Sequence, residues 1–456
     1  MEKIKSLNSN KLFEELFCLI LSIITVLFWK FSSLTGMIII LLVAAISLIL
    51  FNDFKYMIPC SIYFLFSINY TFEVDKIPVA VVICGFLLIG VLISFLIRNG
   101  FNFNERKSWK GIAILAALCP LPLLWHNVID AGQEGFYFVY LSYFLYLIVY
   151  LLFSSSLKDG SYSILVKTLS YLPLIMCLEC IIGFFDYIHM NNIKPSLNIA
   201  YTIGWGYCNE AGIMMCLSMP FVFIKVLKKE SLITLISSII MLILLPIGII
   251  MSTSRGTFLF GFFELFVLLI ICFIRSKNKK IFGSILFGLF AIMCVAIQIS
   301  IGFVTIYNQI THEMFRWGLD NNGRFKLWSS AIDLWKKNGL TILFGSGWVS
   351  DYVSPEYSDG LLKYTVYHST LFQIIVIGGL FGIIALGYHL YEKYKQTFRL
   401  DKTSFLLLFA GYTIVDLYGL IDNTYGMYYF MIPLVIIMAA IDKNEFAGVK
   451  NIEQIE

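Results

Sequence analysis

Residues 232–275, LITLISSIIMLILLPIGIIMSTSRGTFLFGFFELFVLLIICFIR, contain two apolar runs separated by the polar stretch STSRG at 252–256. Each run has about 20 residues, the length that a helix needs to cross the hydrocarbon core of a bilayer. Arg255 stands at the junction of the two runs. Because an arginine costs about 2.5–3.5 kcal/mol at the centre of a spanning helix, we expect Arg255 to lie at a membrane face and to have a partner there.

The composition extends this pattern to the whole chain. Of the 456 residues, 59% are hydrophobic and 14% are charged, whereas soluble domains have about 25% charged residues. The sequence therefore predicts an all-α polytopic membrane protein that forms a single integral membrane domain over residues 1–456. Apolar runs predict about 12 to 14 transmembrane helices. These runs lie near residues 12–29, 34–51, 56–72, 77–97, 111–128, 136–153, 164–188, 208–227, 231–251, 257–274, 281–304, 366–391, 404–421 and 425–441.

The distribution of lysine and arginine predicts the orientation of these helices. The N-terminal segment is basic, as are the later loops at 98–110, 225–229, 275–280 and 393–402, whereas the loops near 131–135 and 422–426 contain no lysine or arginine. Basic loops stay on the cytoplasmic side of a membrane. Both termini are therefore predicted to be cytoplasmic in a multi-pass plasma-membrane protein, and STSRG and the long segment 305–365 are predicted to be extracytoplasmic.

The segment 305–365 is predicted to be an ordered loop, because it is rich in aromatic residues and disordered segments are not. Its tryptophans are Trp317, Trp328, Trp335 and Trp348. Residues 324–337 have helical periodicity and predict an amphipathic helix at the membrane interface, with an apolar face formed by Leu327, Trp328, Ala331, Ile332 and Trp335. The following FGSGW predicts a tight turn with Gly345 and Gly347.

Each notable residue here has an ordinary interpretation. The tryptophans can be interfacial anchors, and Arg255 can extend its side chain to a lipid phosphate. Arg324 can be a solvated residue at a helix start, and His368 an ordinary residue at the outer end of a span. Together, however, two arginines and one histidine on one predicted membrane face indicate a functional site.

From Asn209 to Gly382 the chain resembles the O-antigen ligase and polymerase superfamily, which are integral membrane glycosyltransferases with a GT-C-like fold. Four stretches carry the resemblance: GYCNEAGIMMCLSMP (206–220), STSRGTFL (252–259), NGRFKLWSSAIDLWKKNGLTILFGSGW (322–348) and VYHSTLFQIIVIGGLFGII (366–384). In the last stretch Ser369 stands where the family often has asparagine.

The resemblance implies a donor glycan carried on a polyprenyl diphosphate of the undecaprenyl type. Arg255 and Arg324 would stabilise the leaving diphosphate, because guanidinium groups match phosphate oxygens and remain charged. His368 would accept the proton of the acceptor hydroxyl. The reaction would invert the anomeric carbon and need no metal and no cofactor. The implied substrate-binding residues are Asn209, Trp328, Gly345, Gly347 and Tyr367.

The sequence leaves several functions open. We interpret the chain first as a polymerase that joins lipid-linked repeat units of a capsule, O-antigen or exopolysaccharide. The alternatives are a ligase that transfers the finished glycan to a lipid or protein, a flippase for lipid-linked oligosaccharides, and a sensor or structural protein. Expected partners are the lipid-linked donor and acceptor, membrane lipid, a chain-length regulator and a flippase, with no nucleic acid. Four acidic residues within predicted spans are either functional or half of a helix–helix pair: Glu179, Asp186, Glu264 and Asp416.

Overall fold

A computed structural model describes residues 2–68, 79–100, 108–125, 141–158, 160–192, 208–228, 232–276, 279, 283, 288, 324–350, 363–364 and 367–443. The described chain is a bundle of helices, which confirms the all-α polytopic class. The helices are α1 (Glu2–Phe31), α2 (Ser33–Phe51), α3 (Met57–Phe66), α4 (Val79–Asn99), α5 (Lys110–Leu118), α6 (Ser142–Ser156), α7 (Ser161–Asn191), α8 (Cys208–Lys228), α9 (Leu232–Met251), α10 (Arg255–Arg275), α11 (Arg324–Trp335), α12 (Gly339–Phe344), α13 (Thr370–Thr397), α14 (Lys402–Gly419) and α15 (Tyr428–Asp442).

Within the described residues, eight helices are long and apolar enough to cross a membrane. These are α1, α2, α4, α7, α8, α9, α10 and α13. The predicted spans near 56–72, 111–128, 136–153 and 425–441 correspond to shorter apolar helices. The predicted span 404–421 corresponds to α14, which has 18 residues and is not among the eight. The predicted span 281–304 lies almost entirely outside the described residues. The total of 12 to 14 spans therefore stays a prediction.

Proline explains why one predicted span is a short helix. The apolar run 111–128 predicts a full span, but α5 ends at Leu118, and a 3₁₀ turn follows over Leu121–Leu124. Pro120 and Pro122 lie in this region. Because proline lacks the backbone N–H and clashes with the preceding turn, an α-helix does not continue through such a pair.

The described parts of the long loop are ordered. The predicted helix 324–337 is α11, which ends at Trp335 and packs against α13 with Ala331 and Leu334 buried. Strands β1 (Val349–Ser350) and β2 (Lys363–Tyr364) form an antiparallel pair in which Val349 faces Tyr364. The rest of 305–365 lies outside the described residues.

Helix α13 is broken at Gly379, whose backbone has a φ of 58° and a ψ of −146°. A Cβ atom at this position would lie 2.6 Å from the carbonyl oxygen of Ile342 in α12. The turn after α12 closes on the break, because the backbone nitrogens of Ser346 and Gly347 donate to the Val376 carbonyl at 2.6 and 3.0 Å. Non-helical backbone in a membrane protein needs such internal partners.

Several basic residues form ion pairs near the ends of helices. Lys55 and Lys167 both bind Glu14, at 2.9 and 2.7 Å, and Arg399 binds Asp442 at 2.6 Å. Arg275, the last residue of α10, donates to Thr403 at the start of α14. Since α10 and α14 are antiparallel neighbours, Arg255 lies at the opposite end. Which end faces the cytoplasm stays a prediction.

The acidic residues within spans mostly have partners on other helices. Asp186 in α7 pairs with Lys30 in α1, and Asp416 in α14 pairs with Lys393 in α13. Glu264 in α10 is fully buried beside the thiol of Cys216 in α8. For Asp186 and Asp416, the structure therefore favours the interpretation as half of a helix–helix pair.

Candidate active site

His368 occupies a strained position directly before α13. Its φ is 47°, in the left-handed region that few residues other than glycine adopt. Non-glycine residues in this region are concentrated at functional sites. The imidazole is exposed on one side, and its Nδ1 lies 3.4 Å from Oδ1 of the buried Asp422. The histidine is therefore held by its backbone and by one carboxylate, and about half of its side chain is exposed.

Asp422 lies in the loop between α14 and α15, residues 420–427, which is called the Asp422 loop below. Its carbonyl accepts from the backbone nitrogen of Thr370 at 3.1 Å, and Thr424 binds the Thr370 hydroxyl through its own hydroxyl at 2.9 Å. These bonds join the loop to the first turn of α13, so His368 and Asp422 are positioned by the same contact. Asp422 is not among the site residues predicted from the sequence. The available signal was a carboxylate in a loop without lysine or arginine, on the face predicted for His368.

Arg324, the first residue of α11, contacts the same loop. It is half-buried, and its Nη1 donates to the carbonyl of Ile421 at 2.5 Å. Ile421 directly precedes Asp422. The structure therefore brings Arg324 and His368 together on two consecutive residues of the Asp422 loop.

Arg255 begins α10, where Ser254 caps the helix by accepting from the Thr257 nitrogen at 3.2 Å. The hydroxyls of Ser254 and Thr257 both contact the Tyr418 hydroxyl, at 3.0 and 2.9 Å. Tyr418 is in the last turn of α14, and its carbonyl accepts from the Asp422 nitrogen at 3.1 Å. The helix start that carries Arg255 is thus fixed to the end of α14 that carries the Asp422 loop.

The side chain of Arg255 is exposed, and it forms no ion pair or hydrogen bond with the residues that the structure describes. Arg324 and His368, by contrast, both contact the Asp422 loop. Two guanidinium groups and an imidazole at one end of the bundle favour an anionic ligand. A diphosphate has the charge and the acceptor oxygens for such a site.

The residues predicted to bind substrate have packing partners in the structure. The Trp328 indole donates to the Tyr367 carbonyl at 2.9 Å and stacks on Phe372 with ring centroids 5.1 Å apart. Tyr367 is fully buried. These contacts hold the residue before His368, which is a positioning role. Asn209, the second residue of α8, is half-buried.

Gly345 and Gly347 form the predicted tight turn, and both have a positive φ. Their turn packs on the break in α13, as described above. The resemblance implies that these glycines contact the substrate, whereas in the structure they allow the turn to approach the backbone of α13 closely. Substrate contact by Asn209, Trp328, Tyr367 and the two glycines stays a prediction.

We expect Trp328→Phe to lower the rate of the reaction at this site more than Trp335→Phe does. Both substitutions remove one indole hydrogen bond, since Trp335 donates to the Ile342 carbonyl at 3.0 Å. Each should lower the free energy of unfolding by about 0.5–1.5 kcal/mol. Only Trp328 supports the residue before His368. Equal thermal stability with unequal activity supports the positioning role, and equal activity of the two variants contradicts it.

The fold and the site define a polytopic membrane protein with two arginines and a histidine at one end of its helix bundle. Residues 239–387 of this protein match the O-antigen ligase family. The match covers about a third of the 456 residues and confirms the resemblance to the O-antigen polymerase and ligase superfamily. No match was found among curated proteins. Arg255, Arg324 and His368 lie inside the matched range, whereas Asn209 and Asp422 lie outside it.

Proposed function

We propose that the protein is a glycosyltransferase that polymerises a surface polysaccharide. It transfers a glycan from a polyprenyl diphosphate, of the undecaprenyl type, to a sugar hydroxyl of another lipid-linked repeat unit. The observation that carries this proposal is the convergence of Arg324 and His368 on Ile421 and Asp422, with Arg255 exposed at the adjoining helix start. The family match supports glycosyltransferase-like activity.

In the proposed reaction, the acceptor hydroxyl oxygen attacks the anomeric carbon of the donor glycan. The bond between that carbon and the phosphate oxygen breaks, and its electron pair leaves with the diphosphate. Arg255 and Arg324 stabilise the charge that develops there, and one well-placed donor contributes about 3–4 kcal/mol to such a step. A single displacement of this kind inverts the anomeric carbon, and none of these roles uses a metal ion.

His368 takes the proton of the acceptor hydroxyl on Nε2 and then releases it to water. Its Nδ1 faces Asp422 at 3.4 Å, so the carboxylate orients the ring and stabilises the imidazolium while it exists. The general base and its orienting carboxylate are thus supplied by two segments that the Thr370 contacts hold together.

The family match favours one second candidate function. The matching family is that of O-antigen ligases, which supports transfer of a finished glycan to a lipid or protein acceptor. The chemistry at the donor is the same in both reactions, and only the acceptor differs. In either case, we propose that the site is extracytoplasmic and that a flippase delivers the donor, with a chain-length regulator as a further partner.

A complementation experiment tests the proposal. A strain that lacks this protein would express Arg255→Ala, Arg324→Ala or His368→Ala at matched membrane levels, with the surface polysaccharide resolved by gel. All three variants are expected to lose long chains while single repeat units still reach the surface. Lys326→Ala is the matched control, because Lys326 is an exposed cation on the same helix as Arg324.

Two other results would change this conclusion. If full-length glycan accumulates on the carrier lipid and none reaches its acceptor, the protein is the ligase. If the three variants match wild type, the arginines and the histidine are interfacial residues without a catalytic role, and the enzyme proposal fails.

A further inference from the structure

A buried polar cluster lies beneath the Asp422 loop. The Lys393 ammonium donates to both oxygens of the Asp416 carboxylate, at 2.6 and 2.7 Å, and to the Tyr425 hydroxyl at 2.6 Å. Tyr425 in turn donates to Asp416 at 2.6 Å. These three residues, named the Lys393 cluster below, connect α13, α14 and the loop that follows α14.

Lys393 and Tyr425 are enclosed by the protein, whereas Asp416 is partly exposed. The Lys393 side chain is only 1% exposed, and its ammonium lies over the rings of Tyr394, Tyr412 and Tyr425, at 4.7, 4.7 and 5.3 Å from their centroids. Charged side chains inside membrane helices are costly, so they occur in pairs and commonly have a function. A buried ion pair is weak evidence for added stability but can select one arrangement of the chain.

The part of the chain that this cluster can hold in one arrangement is the Asp422 loop. Tyr425 lies three residues after Asp422, and its phenol is directed into the cluster. Its backbone carbonyl is held from another side, by the Tyr143 hydroxyl of α6 at 2.7 Å. Together with the Thr370–Thr424 contact, these bonds fix both the backbone and one side chain of the loop.

We propose that Tyr425, held by Lys393 and Asp416, is a positioning residue that fixes the Asp422 loop and thereby presents Asp422 to His368. The proposal rests on the proposed function of the site. It assigns no chemistry to the cluster, which acts on the reaction only through the position of the loop. It also gives the buried pair of α13 and α14 a purpose beyond joining two helices.

The protonation of Tyr425 agrees with this role. Burial and the neighbouring Asp416 carboxylate raise the pKa of the Tyr425 phenol well above its usual range. The phenol therefore keeps its proton and can donate to Asp416 while it accepts from Lys393.

The first test compares Tyr425→Phe with Tyr412→Phe. Tyr425→Phe removes the hydroxyl and keeps the ring. Tyr412→Phe is the matched control, because the Tyr412 ring lies 4.7 Å from the Lys393 ammonium while its buried hydroxyl bonds to none of the residues that the structure describes. Hydrogen exchange of the peptide 420–427 in the purified full-length protein is expected to accelerate about tenfold or more in Tyr425→Phe, because the hydroxyl bonds to two charged groups and one such bond is worth about that factor. It is expected to be unchanged in Tyr412→Phe.

A second variant removes both charges together, Lys393→Met with Asp416→Leu, so that neither charge is left buried alone. It is expected to fold and to show the same faster exchange at 420–427. If neither this variant nor Tyr425→Phe changes the exchange of the loop, the cluster does not fix the loop and the proposal is overturned. This readout is independent of catalysis.

A rescue experiment then connects the loop to the reaction. Thr370→Cys with Thr424→Cys, whose native hydroxyls are 2.9 Å apart, allows a disulfide that joins the loop to α13. In the Tyr425→Phe background, glycan transfer from a lipid-diphosphate donor by the reduced pair is expected to be about tenfold slower than with the same reduced pair and Tyr425 intact, and to recover when the pair is oxidised. The same oxidation of the protein with only its native cysteines is the control.

The outcomes separate the two proposals. If exchange at 420–427 accelerates but transfer is unaffected, the loop does not need this anchor and the positioning role is overturned. If oxidation does not restore transfer, the cluster acts by a route other than the loop, which also overturns it. If the wild-type protein transfers no glycan, the proposed function fails, while the exchange data still decide whether the cluster fixes the loop.

Discussion

His368→Ala is expected to lower the rate of glycan transfer by about 10²–10⁴-fold, the range that a general base contributes. The imidazole is the only described titratable group here that is both exposed and held by a carboxylate, Asp422 at 3.4 Å. The measurement is single-turnover transfer in proteoliposomes with a lipid-diphosphate donor. Binding of the donor should change little, because the arginines remain.

Asp422→Asn tests the carboxylate of the His368–Asp422 pair. The amide can keep the hydrogen bond that the Asp422 carboxylate accepts from the Asn423 nitrogen at 2.8 Å, but it removes the charge that stabilises an imidazolium. We expect a smaller loss than for His368→Ala, because the base remains. His189→Ala is the matched control, since His189 is an exposed histidine in the last turn of α7. Full activity of His368→Ala would exclude the histidine as the base.

Gly345→Ala is expected to lower the free energy of unfolding by about 2–5 kcal/mol, from overpacking together with a left-handed backbone. Gly345 has a φ of 79°, and a Cβ atom there would lie 2.6 Å from the Gly378 nitrogen and closer still to the Val376 carbonyl. Both neighbours are backbone atoms of the broken helix, so neither can rotate away. Thermal unfolding of the purified protein in detergent measures the effect.

The control for this substitution is Gly339→Ala. Gly339 begins α12, only six residues before Gly345, and a Cβ atom there would meet no atom within 4 Å. Its variant should unfold close to the wild-type temperature. If Gly345→Ala does the same, the turn is not locked against α13, and the glycine is better explained by contact with substrate.

The sequence was sufficient to predict the helices, because their apolar residues recur at a regular spacing. The apolar runs gave the class of fold, and the spacing of Leu327, Ala331 and Trp335 gave the helix α11 within two residues of its end. Arg324 and His368 are predicted on the same membrane face, so their closeness agrees with the sequence. Their contacts with Ile421 and Asp422 do not follow from that prediction. A hydrophobic period reports which face of a helix is buried and carries no information about which loop lies beside it.

The remaining features depend on contacts between distant segments. Asp422 is 54 residues from His368 in sequence, and no local pattern marks it as a partner. The break in α13 had a local signal, the pair Gly378–Gly379, but only the approach of α12 requires it. The resemblance implies substrate contact by Tyr367, whereas its side chain is fully buried in the structure and its carbonyl accepts from the Trp328 indole.

The short helix beside the site has a consequence for access to it. Helix α15 has 15 residues, which corresponds to about 22 Å at 1.5 Å per residue, whereas the hydrocarbon core is about 30 Å thick. Its last residue, Asp442, pairs with Arg399 just before α14, and its sides are buried by the other helices. We therefore expect the Asp422 loop, which leads into the other end of α15, to lie below the level of the phosphates. A lipid-anchored diphosphate would reach it through a depression in the protein surface, without its polyprenyl chain leaving the hydrocarbon.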